Sequence, residues 1–382
     1  MDLPPPISLG TPDSFARSVF HERHPKLIEQ VIGAHPYGAA QRAALRELLA
    51  ESTGGVIERI PGNPADAARW EEWGRGMWGR PWSEASFLWG ESYFYRRILA
   101  AVEYDRPGIW CGVDPFAPTK RAELCGGEVE AELSALGEFP DTEETRTALL
   151  MSALWGNQAD LSFQLVTAAA TRAPLLVDDS AVLWDTLPHN GNAAVAVIAD
   201  NAGRELLPDL VLIDHLLNTS RAQRVSLYLK PAPYYVSDAT MADLLATLRV
   251  MIDSRFEGAA AIGRRLRDAM VDGQLELRTH EFFCAPLDYR DLPEDLATEL
   301  ARSTLTILKG DLNYRRLLGD RNWPPTTVFG DLVAYFPTPV AALRTLKSDV
   351  IAGLTAECVR ELDATGRPWR TTGEYAVIQV AR

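Results

Sequence analysis

The sequence predicts an α/β protein: a three-layer α/β/α sandwich with a largely parallel sheet, plus a mainly helical N-terminal region. Two observations carry this. Beyond residue 140, short apolar runs alternate with helical patterns of about 10 to 15 residues, the rhythm of strands joined by crossover helices. Within that part, residues 193–199 (AAVAVIA) are all small or β-branched, which fits a strand buried on both faces as in a parallel sheet. The boundaries expected are 1–140 for the helical region and 141–382 for the α/β part.

The helical region starts with a proline-rich leader, followed by residues 25–32 with helical spacing and by 41–51 (QRAALRELLAE), an amphipathic run of strong helix formers. The tryptophan-rich segment 70–89 reads as core packing rather than a base-stacking platform. Residues 91–102 (ESYFYRRILAAV) form another helix, and 114–118 (DPFAP) a turn-rich break. A helix over 143–154 runs into Gly156 and restarts over 161–170. Strands are expected at 174–177, 193–199, 225–229, 275–277 and 304–308, and helices at 206–217 and 241–252. Thr338-Pro339 is expected to open a last helix carrying Arg344, Thr345 and Lys347, with Arg344 and Lys347 on one face at i and i+3.

Composition narrows the function classes. The net charge of -14 argues against a nucleic-acid binder, whose affinity for phosphate backbones comes from clustered Lys and Arg. A small phosphorylated ligand would need a local island of cations, or a metal ion, inside this acidic envelope. No apolar run approaches the roughly 18 residues of a membrane span, and the leader lacks a basic, apolar signal pattern. Cys111, Cys125, Cys284 and Cys358 form no CxxC pair, which suits unpaired thiols in a reducing cytoplasm rather than a zinc site or disulfide frame.

Polar groups follow each strand-like run. Asp200 and Asn201 follow residues 193–199; Lys230, Ser237 and Asp238 follow 225–229; Lys309 and Asp311 to Arg315 follow 304–308. In a parallel sheet these stretches converge on the edge where ligands bind. Two carboxylates and an amide oxygen suit a hard cation such as Mg²⁺ or Mn²⁺. Arg315 and Lys347 are cations for a phosphate, and Asp311 and Asn313 suit the hydroxyls of a polyol. Plain alternatives stand beside these readings: Asp200-Asn201 as an Asx turn capping the next helix, Ser237 and Asp238 as caps of 241–252, and Arg344 with Lys347 as a solvated face. There is no GxGxxG after a strand, no GxxxxGK[ST] and no GxSxG elbow. Asp178-Asp179-Ser180 reads as strand termination, and the histidines as packing or surface residues.

Several longer motifs occur in one order: GNQADLS (156–162), ADNAGRELLPDLVLIDHLL (199–217), LKP…VSD (229–238), LKGDLNYRRLLGDRNW (308–323) and LRTLK (343–347). Together they resemble the damage-control phosphatases of the domain of unknown function 89 family, in particular its sugar-phosphate branch with an RTxK motif. The resemblance implies an α/β/α sandwich whose N-terminal region shapes the substrate pocket, and a divalent metal, Mn²⁺ foremost with Co²⁺, Ni²⁺ or Mg²⁺ as alternatives. It places the metal on Asp200, Asn201 and Asp238, and the substrate on Asp200, Asn201, Asp311, Leu312, Asn313, Tyr314, Arg315 and Lys347. Asp200, Asn201, Asp238 and Lys347 are the catalytic set, and Asn157, Asp160, Glu205, Asp209 and Arg344 support it. The activity implied is hydrolysis of small sugar phosphates of the fructose 1-phosphate or fructose 6-phosphate type in metabolite damage control. An S-adenosylmethionine-dependent protein carboxyl methyltransferase is the alternative, because that activity has been attributed to a relative. A metal-binding module without turnover is the third possibility.

Overall fold

The computed structural model describes residues 3–62, 64–156, 175–187 and 191–382. Its centre is a sheet of β1 (Leu175–Asp178), β2 (Ala194–Ile198), β3 (Arg224–Leu229), β4 (Leu275–Thr279), β5 (Leu305–Lys309), β6 (Val340–Thr345) and β7 (Ala376–Ala381). The order across the sheet is β1-β7-β6-β5-β2-β3-β4. From β6 to β4 all pairings are parallel. β7 pairs antiparallel with β6 and parallel with β1, so both strands at that edge run the other way.

The strand pleat sorts side chains into two layers. Ala196 and Ile198 of β2, Leu308 of β5 and Ala342 of β6 join one apolar core. Their neighbours Val195, Val197, Ile307, Ala341 and Leu343 join the other. The first core contains the N-terminal helices, through Ile28 and Val31 of His24–Ala34, Leu45 and Leu48 of Ala39–Gly54, and Phe87, Tyr93 and Phe94 of Phe87–Ala101. The second is closed by Glu143–Trp155, Leu206–Asn218, Met241–Ile252 and Glu257–Val271. The three-layer α/β/α sandwich is thus present, with the N-terminal helices packed directly on the sheet. Trp70, Trp82 and Trp89 are buried around Tyr93, as the packing reading of that segment requires. His24 is buried against Phe94. Among the described residues no helix is long and apolar enough to cross a membrane.

The stretch expected to be a helix over 338–347 is strand β6 instead. Its Ala, Leu and Arg residues favour helix locally, but Val340–Thr345 lies between β5 and β7 with every side chain buried. Tertiary context overrides a propensity that is worth only tenths of a kcal/mol per residue. Arg344 and Lys347 therefore share no helix face. β7 had no counterpart in the sequence reading. The capping alternatives also give way. The helix Met241–Ile252 is capped by Thr240 and Asp243 in a capping box. Leu206–Asn218 is entered through the short turn Gly203–Glu205, with no side-chain cap on either. The helix expected at 161–170 and His189 lie outside the described residues.

Gly310–Leu318 starts directly at the end of β5 and is anchored by Arg316, which is fully buried. Its guanidinium donates to the carbonyls of Leu287 and Phe282 at 2.8 Å each and stacks over the Phe282 ring. Arg316→Ala orphans those carbonyls and opens a void. Urea unfolding is expected to show a loss of about 3 kcal/mol or more, the scale for buried charge-assisted bonds lost together.

Candidate functional site

From β2 the chain steps outward to β3 and β4, then returns to the other side of β2 to form β5 and β6. The carboxyl ends of β2 and β5 therefore flank a point where the connections diverge, the usual crevice for ligands in open α/β sheets. Asp200 and Asn201 leave β2 there, and Gly310 leaves β5. Gly310 has φ +83°, and a Cβ on it would stand 1.8 Å from Asp200 Oδ2. Only glycine both adopts this backbone and leaves room for the carboxylate.

The loop after β3 is cross-linked to the loop after β2. Asn201 and Asp238 form an antiparallel bridge. Ala202 N–H donates to Ser237 O at 2.7 Å, and Ala239 N–H to Asp200 O at 2.9 Å. Asn201 Nδ2 donates to Glu205 Oε2 at 2.8 Å, while its Oδ1 accepts from Ser237 Oγ at 3.0 Å. The amide is thereby oriented with one oxygen lone pair left over. Asp238 is buried, and its Oδ2 has no hydrogen-bond donor although Lys230 Nζ stands 3.3 Å away. Burial pushes the Asp200 carboxyl well above the usual range, and the charges of Asp238 and Glu205 push it further against Lys230 and Lys347. Burial likewise raises Asp238, opposed by Lys230 and Lys120.

A small pocket opens beside these groups, lined by Asp200, Asn201, Glu205, Asp209, Lys309 and Lys347 among others. Lys347 follows β6 and is half exposed, with Nζ 3.9 Å from Glu205 Oε1. Lys309 Nζ is 2.7 Å from Asp209 Oδ1 and donates to the Ala153 carbonyl. Arg344 is fully buried. Its Nε donates to Asp311 Oδ1 at 2.8 Å, and its terminal nitrogens donate to Ser348 and to the Val350 carbonyl. It thus shapes the turn that presents Lys347 and orients Asp311, which also accepts from Lys347 N–H and Ser348 Oγ. Burial alone would raise Asp311, but the Arg344 and Arg315 guanidiniums outweigh it and hold the carboxyl below its ordinary value.

The rest of the expected substrate segment has other partners. Leu312 packs with Leu88 and Tyr234. Asn313 is fully buried, donating to Ala199 O and Lys309 O and accepting from Tyr289. Tyr314, equally buried, donates to Gln379 and accepts from Ala352 N–H. Arg315 is sandwiched between Glu91, 2.7 Å from NH1, and Asp320, 2.8 Å from Nε, so it is no free cation for a phosphate. The helix begins at Gly310, and its inward face is spent on the core, which leaves Asp311 as the partly exposed member of this segment, hydrogen-bonded to Lys347 N–H beside the pocket. Asn157 and Asp160 lie outside the described residues.

Lys230, Lys309 and Ser237 were noted from the sequence as strand-end polar groups without a role in the site, and Glu91 was given no role. A lone Lys ending an apolar strand was the available signal for the two lysines; Glu91 gave none. Among the described residues no three His, Cys, Asp or Glu side chains gather as a ready-made metal cluster. What the crevice offers is two carboxylates and an amide oxygen, with one carboxylate oxygen met only by the Lys230 ammonium. That donor set fits a hard divalent cation.

An α/β sandwich with acidic oxygen donors and a lysine at its switch point has the crevice of a ligand-binding α/β protein. Residues 19–362 match the damage-control phosphatase ARMT1-like domain, so the chain belongs to that family and is a phosphatase acting on phosphomonoesters. It is 32% identical over 332 residues to damage-control phosphatase ARMT1 of Danio rerio, covering 78% of this chain and 74% of the relative. Against the Homo sapiens protein of that name it is 30% identical over 331 residues, with 78% and 75% covered. A crystal structure of a DUF89 family protein from Pyrococcus horikoshii shares the fold, with a TM-score of 0.53 at 14% identity over 96% of this chain and 98% of that one. The relatives' names give the methyltransferase alternative no support.

Asp209 supplies a test of the pocket floor. Burial, against the pull of Lys309, pushes its carboxyl from 3.8 up to about 6. A raised folded-state value means stability that is full below the unfolded pKa and lost as pH rises through the folded one. Between about pH 4 and pH 6 the wild type is expected to lose up to about 3 kcal/mol relative to Asp209→Asn. Paired urea titrations at the two pH values read the difference directly, and parallel curves would place the carboxyl elsewhere.

Proposed function

We propose that the enzyme hydrolyses small sugar phosphates of the fructose 1-phosphate or fructose 6-phosphate type in the cytoplasm, with a divalent cation, Mn²⁺ foremost, held by Asp200, Asn201 and Asp238. Co²⁺, Ni²⁺ or Mg²⁺ fit the same oxygen donors. The observation that carries this reading is the Asn201–Asp238 bridge, which sets two carboxylates and an oriented amide side by side next to a half-exposed lysine. When bound, such a cation neutralises and polarises phosphoryl oxygens.

The chain's own groups do the rest. Lys347 is free enough to meet a phosphate and is steered by Glu205. The Arg344–Asp311 pair sets where that lysine's backbone lies. Asp311, ionised and hydrogen-bonded to the Lys347 backbone, would accept from a sugar hydroxyl that reaches past that lysine. Lys309 and Lys230 counter the buried carboxylates from beneath, so the phosphate meets a site whose repulsion is already lowered.

A screen of sugar phosphates with each of the four metals, with EDTA controls, checks the reading. Hydrolysis is expected only with metal. Asp200→Ala and Asp238→Ala are expected to lose about 100-fold or more in kcat, on the scale of removing key electrostatic groups. Lys347→Ala is expected to act mainly on KM, by about 10-fold. A folded Asp200→Ala enzyme with full metal-dependent activity would falsify the assignment.

A further inference from the structure

Lys120 lies in the helix Ala117–Leu124 of the N-terminal region and is 3% exposed. Its Nζ donates to Asp114 Oδ2 at 3.0 Å, to Asp243 Oδ2 at 2.9 Å and to the main-chain carbonyl of Asp238 at 2.9 Å. An ammonium has three protons, and all three are used. Asp243 Oδ2 in turn accepts from Thr240 N–H at 2.9 Å and Thr240 Oγ1 at 2.7 Å. The lysine is therefore a node joining three segments: the helical layer, residues 231–240 and the start of Met241–Ile252.

Residues 231–240 have neither helix nor regular strand structure, so Asp238 is placed by cross-links alone. On one side it bridges Asn201; on the other it is held by Lys120. Remove Lys120, and a buried carbonyl and two partly buried carboxylates lose their shared donor. The 237–239 backbone then has reason to shift, and the Asp238 carboxylate shifts with it. We propose that Lys120 is a positioning residue for Asp238, through which the N-terminal helical layer sets the affinity of the crevice for its cation. This rests on the metal reading above. The lysine touches neither the Asp238 carboxylate oxygens nor the residues lining the pocket, so its effect belongs to cation affinity rather than to substrate contact.

Lys120→Met keeps the length and removes the donor. Calorimetric titration with Mn²⁺ is expected to show binding weakened about 10-fold or more, the usual scale for a partner behind a metal ligand. At saturating Mn²⁺, KM for the phosphate ester should stay within about twofold of wild type. A merely structural role would lower the melting temperature in EDTA while leaving the Mn²⁺ affinity of the folded protein unchanged. A folded K120M with Mn²⁺ affinity within about twofold of wild type overturns the proposal. Hydrogen exchange on the wild type keeps the test open should that variant not fold. Mn²⁺ is expected to slow exchange in 117–124 together with 199–205 and 234–240, and protection confined to the last two segments overturns the proposal equally. Wild-type protein that binds no Mn²⁺ overturns the metal reading and this inference together, whereas binding insensitive to K120M removes this inference alone.

Discussion

The constraint on which the rest of the structure depends is the placement of Asp200 and Asp238 at the ends of adjacent parallel strands. Two carboxylates partly or wholly removed from water repel each other, and the neighbouring groups are arranged around that repulsion. Lys230 stands against Asp238, Lys309 against Asp209, and Lys347 against Glu205. With all four carboxylates ionised, Asp200, Asp238, Asp209 and Glu205 exceed the three ammonium groups by one negative charge, an excess that their raised pKa values partly relieve. A phosphate dianion entering that crevice alone would be repelled. A divalent cation reverses the sign of the excess, which is why an acidic protein can bind a phosphorylated ligand at an acidic site. Gly310 serves the same arrangement sterically, since any side chain there would force Asp200 off the position that makes the crevice.

Behind this first ring lies a second one of buried arginines. Arg344 clasps Asp311 and the 345–350 turn, and Arg315 is locked between Glu91 and Asp320. Buried pairs of this kind add little net stability, because desolvation offsets much of their attraction, but breaking one leaves an uncompensated charge. Their value here is geometric. The Arg344–Asp311 pair fixes the turn carrying Lys347, and the Arg315 pairs tie the helix after β5 to the N-terminal helix Phe87–Ala101. A mobile lysine is thereby mounted on an immobile base.

Much of this was legible in the sequence where local and global preferences agree. The strand at β2 and the helix Met241–Ile252 fall where periodicity places them, because burial on both faces and a capped amphipathic run each leave a local signature. The 338–347 segment failed because VAALRT carries no β-branched majority, and its strand state comes from two neighbours distant in the chain. The DLNYR stretch was legible as important but not as scaffold. Asn313, Tyr314 and Arg315 are polar for the sake of buried partners, and a polar run reads the same whether it meets a ligand or the core. Lys120 was harder still. Its carbonyl partner is 118 residues away, and no spacing rule reaches that far.

That distance also says what the N-terminal helical layer is for. Loops at strand ends cannot fix catalytic side chains through their own backbone, since residues 231–240 have no regular structure to hold them. They must borrow rigidity from elements that do. Glu91 enters from one N-terminal helix to hold Arg315, and Lys120 enters from another to hold the Asp238 backbone. Both contacts are buried and charged, so neither is a chance consequence of covering the sheet with apolar helices. An apolar layer would bury the sheet just as well. One that sends a carboxylate and an ammonium to the two strand-end segments beneath it also braces those segments, while the described residues lining the pocket all come from residue 153 onward.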